Sequence, residues 1–402
     1  VTTQRPLGRS GGELVPRLPE QGYAPEHVAR RRAWVEERTG GRLDLVGRTA
    51  LSTEAMRGNV ENPVGAAQVP LGVAGPLAVR GEHADGVFYV PLATTEGALV
   101  RSYERGMVAI TRAGGATVRL LADENRVCPV FLFDDVAAAV EFAARLPEWE
   151  ADLRREAESG TRHGRLLRVE PRVLGRRVVL TFAWSTGDAH GMNLLVAGSD
   201  RACRWLAGRV GRPFHVFSGM SSEKRASGAL LAGGKGKGVT AGVHLPRRVV
   251  AAVLNTTAEA LAAVWHDTVL GHLAAAALGY NGHYANGLAA LFIACGQDVA
   301  NLANCAVGIT DLEALPEGDV HASVTLPSLT VATVGGGTGK GTARECLEML
   351  GCAGDGRAPK LAEIVAATLL AGELSMGAAI ASGELAAAHE AYGRNRPPED
   401  RP

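Results

Sequence analysis

The sequence predicts an α+β fold: a large, mostly helical domain interrupted by a small split-βαβ domain. Three observations predict it. From Thr117 to about residue 216 the pattern runs strand, helix, strand, strand, helix, strand, within the length of one ferredoxin-like unit. From Leu245 onward, long Ala-rich segments are apolar all round, as buried helices are. Glycine makes up 51 of 402 residues, about 13% where ~7% is ordinary, so backbone must come close to something at many points.

The elements follow in order. Pro25–Thr39 reads as a charged helix with proline near its start. Between Gly65 and Gly97 short apolar runs alternate with turn residues, and the 81–86 stretch, ending in Asp-Gly, predicts a hairpin. Leu99–Ile110 is helical. Thr117–Phe133 is strand, Asp134–Ser159 a helix with one dense charged face, and Leu166–Trp184 strand-turn-strand. Asp188–Val210 is helical, with Leu194, Leu195, Cys203, Leu206 and Val210 near a 3.6 period. Arg247–Leu278 and His283–Cys305 are apolar helices for a core or a subunit interface. Val320–Val334 is strand, Ala343–Gly351 a short helix, and Lys360–Tyr392 a long helical segment. The expected organisation is an N-terminal helical segment (1–60), a large domain (61–127 and 217–402), and a small inserted domain (128–216).

Composition limits the function. Lys+Arg and Asp+Glu are both 42, so electrostatics give no case for a nucleic-acid or anionic-membrane partner. Aromatics are 5%, too few for a base-stacking platform. The six cysteines form no C-x-x-C pair and none stands at zinc spacing to a histidine, so no metal is expected. No run of ~18 uninterrupted apolar residues occurs, and no secretory h-region precedes Glu20. A reduced, cytoplasmic enzyme is the expectation.

Two glycine stretches invite a nucleotide reading. Gly335–Thr342 (GGGTGKGT) lacks P-loop spacing, since Gly341 stands where the magnesium-binding Ser/Thr belongs. Its successive N–H groups before a helix could still hold an anion. Gly233–Val239 (GGKGKGV) contains no G-x-G-x-x-G and reads as the start of a strand. Several polar residues also sit in apolar or glycine-rich surroundings, where burial is costly unless they are paired or functional. These are Glu96, Lys224, Asp298, His283, Asn286 and His389. Each has a simple alternative: a helix cap for Glu96, a solvated charge for Lys224, a paired carboxylate for Asp298, turn residues for His283 and Asn286, a surface histidine for His389. Together they suggest a general acid/base and oxyanion set.

Six motifs in order resemble the 3-hydroxy-3-methylglutaryl-CoA (HMG-CoA) reductase family. They are ENPVGAAQVPLGVAGPL (Glu61–Leu77), PLATTEGALV (Pro91–Val100), GDAHGMN (Gly187–Asn193), GYNGHYANGLAALFIACGQD (Gly279–Asp298), TVGGGTGKG (Thr333–Gly341) and LAGELSMGAAIASGELAAAHEAYGRN (Leu370–Asn395). TTEG resembles the class I form. The resemblance implies a four-electron reduction of (S)-HMG-CoA to mevalonate and CoA by two NADPH. It implies Lys224 as oxyanion stabiliser, Glu96 as proton donor, Asp298 as their tuning partner, and His389, on a closing C-terminal segment, as acid for the thiolate. It places Arg126, Ser218, Arg225, His283 and Asn286 at the substrate. It places Asp188, Gly191, Met192, Asn193, Gly335, Gly336 and Thr338 at NADPH, with Arg394 at the 2′-phosphate. It implies a ferredoxin-like rather than Rossmann cofactor domain, and a homodimer or higher oligomer with active sites between subunits.

The sequence departs from the family at several points. The family's lysine loop runs roughly S-G-N-Y-C-T-D-K-K-P; here SGMSSEKRAS is one residue shorter, with Glu223 and Arg225 beside the lysine. His190 stands for a usual Met, Tyr284 for a usual Ala beside the substrate pocket, and Arg101 for a small residue. These changes raise two alternatives: a paralogue reducing a related acyl thioester, or a non-catalytic NADPH- or CoA-binding scaffold.

Overall fold

The computed structural model describes residues 14–17 and 22–384. The chain divides into two units, Val1–Val69 and Pro70–Pro402. In the first, helix α1 (Pro25–Thr39) has proline in its first turn and ends at Gly40 in the left-handed conformation. The fully buried Arg31 guanidinium donates to the carbonyls of Pro16, Gly22 and Pro63. A buried cation thereby satisfies loop carbonyls that no helix or strand would.

The second unit is organised by β3 (Ala116–Val127), which serves two sheet regions. Residues 117–124 pair with β8 (Gly236–Leu245), in the order β2–β1–β3–β8–β10–β9. There β1 is Leu71–Arg80, β2 Asp85–Ala93, β10 Val320–Leu329 and β9 Ile309–Ala314. Residues 125–127 pair instead with β6 (Arg177–Ser185). Strands β4 (Val130–Leu132), β5 (Arg165–Leu174) and β7 (Phe214–His215) complete that second region. Each region has its own core. Helices α3 (Val136–Arg145), α4 (Glu150–Glu158) and α5 (Met192–Val210) cover the second, around Phe131, Phe182, Trp184, Leu195 and Leu206.

The first core is built on α2 (Leu99–Arg112), α8 (Tyr284–Ala294) and α11 (Ala358–Ala381). The close approach predicted from glycine content is visible here. A Cβ at Gly106 would collide with the Ala371 backbone, and one at Gly372 with the Tyr103 ring. By length and composition α11 could cross a bilayer, but it is buried along most of its length as the central helix of this core. The β1–β2 hairpin turns at residues 81–84. The fully buried Glu363 of α11 accepts its N–H groups at Glu82, His83 and Ala84.

The structure differs from the periodicity at several points. The predicted 134–159 helix breaks at Leu146–Trp149, where Pro147 cannot donate to the preceding turn. The predicted 247–278 helix splits at Asn255 (φ 53°) into α6 (Arg247–Leu254) and α7 (Ala258–Ala274), bent by 73°. All-round apolarity does not bury α7: Leu270 and Leu273 are exposed, and Ala258 and Leu261 alone are fully covered. The 283–305 helix stops at Gly296 (φ 64°), before the short helix α9 (Leu302–Cys305). The region after Leu245 also holds β9, whose short, charged, edge sequence carries little strand signal. Helix α10 (Gly341–Met349) follows the second glycine loop. All six cysteines are free and buried.

Candidate active site

The acidic residue of the TTEG segment lies in the loop between β2 and α2. Glu96 does not cap α2, whose N-cap Ala98 receives no side-chain bond. Its exposed carboxylate instead accepts from Asn286 Nδ2 at 2.8 Å. Asn286 lies in the first turn of α8, and His283 immediately precedes that helix. The His283 ring stacks on Tyr103 at 4.9 Å between centroids, and its carbonyl accepts from the Tyr103 hydroxyl at 2.6 Å. Burial pushes the His283 imidazole below its ordinary pKa, so it is neutral at pH 7. Behind this turn lies Glu373 of α11, 3% exposed. Its carboxylate accepts from the N–H groups of Gly282 and His283 and from Thr310 Oγ1. Desolvation nevertheless raises its pKa. In front lies a cleft of about 920 Å³ lined by Glu96, Asn286, His283, Arg101, Arg105 and Met376, among others. Arg105 is held by Ser375 and by Glu384 at 3.2 Å.

The lysine lies beyond the other end of α8. Lys224 Nζ is 2.7 Å from Asp298 Oδ2, both side chains about two-fifths exposed. Asp298 sits just past α8 and accepts from the Ala300 N–H. Burial alone would lift its carboxyl; the Lys224 ammonium and that N–H outweigh it and hold it below its ordinary value. Lys224 occupies a tight loop in which Ser222 (φ 57°) and Lys224 (φ 54°) are both left-handed, a conformation side chains resist. Arg126 Nε donates to Ser221 O at 3.4 Å, and its Nη2 is buried without a partner. An orphaned guanidinium nitrogen suits a carboxylate. The Ser218 hydroxyl donates to Cys128 O at 2.7 Å. Arg225 is exposed.

The two segments expected to hold NADPH adjoin. Asp188 O accepts from Thr333 N at 2.9 Å, and its carboxylate accepts from the N–H groups of Gly356 and Ala358. Asp188 therefore ties the 188–193 segment to the start of α11. Gly191 (φ 71°) caps α5, and Met192 and Asn193 form its first turn. Gly335 (φ 81°) and Gly336 (φ 57°) are exposed, with open space where side chains would stand. Thr338 closes that loop through Oγ1 to Gly335 O at 2.7 Å. A helix N-terminus beside an open glycine loop fits an anionic dinucleotide.

The predicted residues thus gather at two poles, Glu96–Asn286–His283 and Lys224–Asp298, separated by α8. Its 11 residues span roughly 16 Å. The cleft at the first pole is lined by no residue of the second among those described. His389 and Arg394 lie outside the described residues. Tyr284, expected beside the pocket, is fully buried and donates to Ile309 O. Sequence reasoning did not select Glu373, Tyr103 or Lys235. The criterion that selected Asp298, a charge within an apolar stretch, also fits Glu373 in LLAGELSMG.

Residues 27–394 match the family described as hydroxymethylglutaryl-coenzyme A reductase. The 3-hydroxy-3-methylglutaryl-coenzyme A reductase of Methanothermobacter thermautotrophicus is 44% identical over 373 residues, covering 92% of this chain and 94% of that protein. The protein of the same name from Haloferax volcanii is 41% identical over 393 residues, covering 96% and 97%. Among solved structures, the reductase of Streptococcus pneumoniae aligns with a TM-score of 0.68 at 20% identity, over 89% of this chain and 98% of that one.

Proposed function

The chain belongs to the hydroxymethylglutaryl-coenzyme A reductase family as a class I-type catalytic domain, and on that premise we propose how its residues carry the reaction. The reaction is the NADPH-dependent reduction of HMG-CoA to mevalonate. When bound, NADPH supplies the hydride. Thioester to alcohol is a four-electron change, so two cofactors are consumed in turn. Hydride addition makes the carbonyl oxygen an oxyanion, which needs a fixed cation. Lys224 takes that role, with Asp298 fixing its ammonium. The thiohemiacetal so formed loses CoA to give the aldehyde, which is reduced at the same place. Glu96, oriented by Asn286, supplies the proton to the alkoxide. His389 protonates the departing thiolate, which would otherwise re-add. Arg126, through its orphaned Nη2, takes the substrate carboxylate, with Ser218 and Arg225 nearby. The arginine-bearing cleft beside Glu96 suits the phosphates of the CoA carrier. We assign residues 128–216 as the cofactor domain, within a large domain of 61–127 and 217–402. Gly191, Met192, Asn193, Gly335, Gly336 and Thr338 would hold the dinucleotide, with Asp188 anchoring their segments and Arg394 at the 2′-phosphate.

The observation that carries this assignment is the Lys224–Asp298 pair at 2.7 Å beyond the C-terminal end of the helix whose N-terminus holds Glu96. The test is NADPH oxidation with HMG-CoA, with CoA release assayed in parallel and Lys224→Ala as control. Two NADPH consumed per CoA, abolished by the substitution, is the expected result. No turnover with intact NADPH binding would sink it.

We further propose a homodimer in which the acid pole of one chain faces the lysine pole of the other. The separation of the poles and the uncovered apolar surface of α7 support it. Co-expression of Glu96→Gln and Lys224→Ala chains tests it. Sites shared between two copies recover about a quarter of wild-type activity, because half the dimers are mixed and each has one intact site. Sites within one chain recover none.

A further inference from the structure

Lys224 depends on a loop that should not be stable by itself. Its two interlocking turns (Ser222 N to Gly219 O at 3.2 Å, Arg225 N to Ser222 O at 3.3 Å) hold two left-handed non-glycine residues. Such backbone persists only where its surroundings over-determine it. The surroundings here are charged. While Lys224 points out to Asp298, its neighbour Glu223 points inward, 15% exposed, onto the ammonium of Lys235. Lys235 is completely buried; Nζ also donates to Asn125 Oδ1 at 2.8 Å and touches Met192 Sδ at 3.4 Å. The His190 ring closes the cluster, with Nε2 3.7 Å from Glu223 Oε1 and no hydrogen-bond partner of its own. Desolvation lowers the pKa of both Lys235 and His190, and Glu223 opposes it in each. Lys235 comes from the glycine stretch before β8, Asn125 from β3 where the two sheet regions meet, and Met192 and His190 from the cofactor segment. A buried ammonium is tolerated only when paired. Glu223 therefore cannot leave Lys235, and the strained loop cannot relax.

We propose that Lys235 is a positioning residue of the reductase, acting through the buried Glu223 carboxylate to hold the loop in the one geometry that presents Lys224 to Asp298. The inference deepens the reading of Lys224 as oxyanion stabiliser and rests on it. It also gives the glutamate in the shortened lysine loop a physical task. An aspartate at this position would draw the carboxylate back from Lys235 by about 1.5 Å, one carbon–carbon bond. A shift of about 1 Å at a catalytic group can cost ~100-fold in rate.

The test compares Glu223→Gln, Lys235→Met and the double variant with wild type. It uses two readouts: steady-state kinetics, and acylation of Lys224 by N-acetoxysuccinimide quantified by mass spectrometry. The expected result is a kcat loss of about 10–100-fold in each single variant. KM for NADPH should stay within about twofold, and Lys224 labelling should rise several-fold. The double variant should be no worse than either single one, because it leaves no unpaired buried charge. Lys237→Met is the comparator: that lysine is 3% exposed, also precedes the centre of β8, and pairs with Asp123 rather than with the loop. It should lower thermal stability without raising Lys224 labelling. If Lys235→Met does not fold, Glu223→Asp carries the same expectation while keeping the charge. Unchanged kcat and labelling in the single variants, losses that multiply in the double variant, or the same labelling increase in Lys237→Met would each overturn the proposal. Labelling needs no turnover. Wild-type protein inactive on HMG-CoA but showing the coupled labelling pattern would therefore fail the functional reading and leave this inference standing.

Discussion

At the acid pole a buried carboxylate faces neutral backbone; at the lysine pole a buried ammonium faces another charge. Glu373 holds the start of α8 through two N–H groups and also accepts from the Thr310 hydroxyl of β9. Lys235, anchored by Asn125, holds the lysine loop through Glu223. Both place an ion where water does not reach, but the consequences differ. Backbone N–H groups at a helix start are present whatever the side chains, so the acid pole tolerates change around it. The lysine pole depends on three side chains from separate stretches of sequence. Of the departures from the family pattern, Glu223, Arg225 and His190 lie at this pole, and Arg101 and Tyr284 lie at the acid pole. Glu223 and His190 belong to one ion cluster around Lys235.

The largest expected effect lies at the exposed end of the lysine pole. Lys224→Ala should lower kcat by about 10²–10³-fold, the usual cost of losing one oxyanion-stabilising donor, with NADPH binding retained in a fluorescence titration. Comparable loss of cofactor affinity would mean that the lysine serves binding instead. Next comes the buried acid. Glu373→Ala leaves the Gly282 and His283 N–H groups without their acceptor and should cost about 2–3 kcal/mol in denaturant melts. Glu373→Gln sharpens the comparison through pH. Desolvation raises the Glu373 pKa above its ordinary 4.5, so the native state keeps the proton to higher pH than the unfolded chain. Its contribution to stability is complete below about pH 4.5 and is lost as pH rises through the folded value. The wild-type advantage in Tm over Glu373→Gln should therefore shrink with rising pH; a difference flat from pH 4 to 8 would contradict it.

The contrast between the poles also explains what was legible in the sequence. Helices α1 and α5 and the β1–β2 hairpin follow from local signals: proline at a helix start, a 3.6 period, and a run of turn residues whose closing Asp-Gly the structure places at the start of β2. The breaks at Asn255 and Gly296 did not, because an apolar run reads the same on either side of a single left-handed residue. Glu96, Lys224, Asp298, His283 and Asn286 stood out as polar residues in unlikely surroundings. Their pairing did not, since Glu96 and Asn286 are 190 residues apart and no local rule joins them. In the sequence Lys235 is one lysine in a glycine stretch that reads as the start of a strand. Only the fold shows that Asn125, Met192 and Glu223 close over it.

Smaller effects test whether the poles are rigid or merely occupied. Tyr103→Phe removes the hydroxyl that donates to His283 O at 2.6 Å but keeps the stacked ring. The expected cost is about 1–2 kcal/mol, read in thermal melts. A loss as large as that of Glu373→Ala would mean that the hydroxyl, rather than the carboxylate, fixes the start of α8.

The smallest expected effect on stability belongs to the most visible contact of the site. Asp298 is held below its ordinary pKa of 3.8, burial opposing and Lys224 prevailing. A depressed carboxyl contributes stability above the unfolded pKa, which is lost as pH falls through the folded value. The pair is about two-fifths exposed, however, so solvent screens it and its contribution should stay below about 1 kcal/mol. Asp298→Asn should therefore melt within a few degrees of wild type at pH 7 and match it more closely below pH 3.8, while losing most of its turnover. Activity and stability would then separate at this one residue. A large loss of stability at neutral pH would instead place Asp298, like Lys235, among the groups that hold the loop rather than those that meet the substrate.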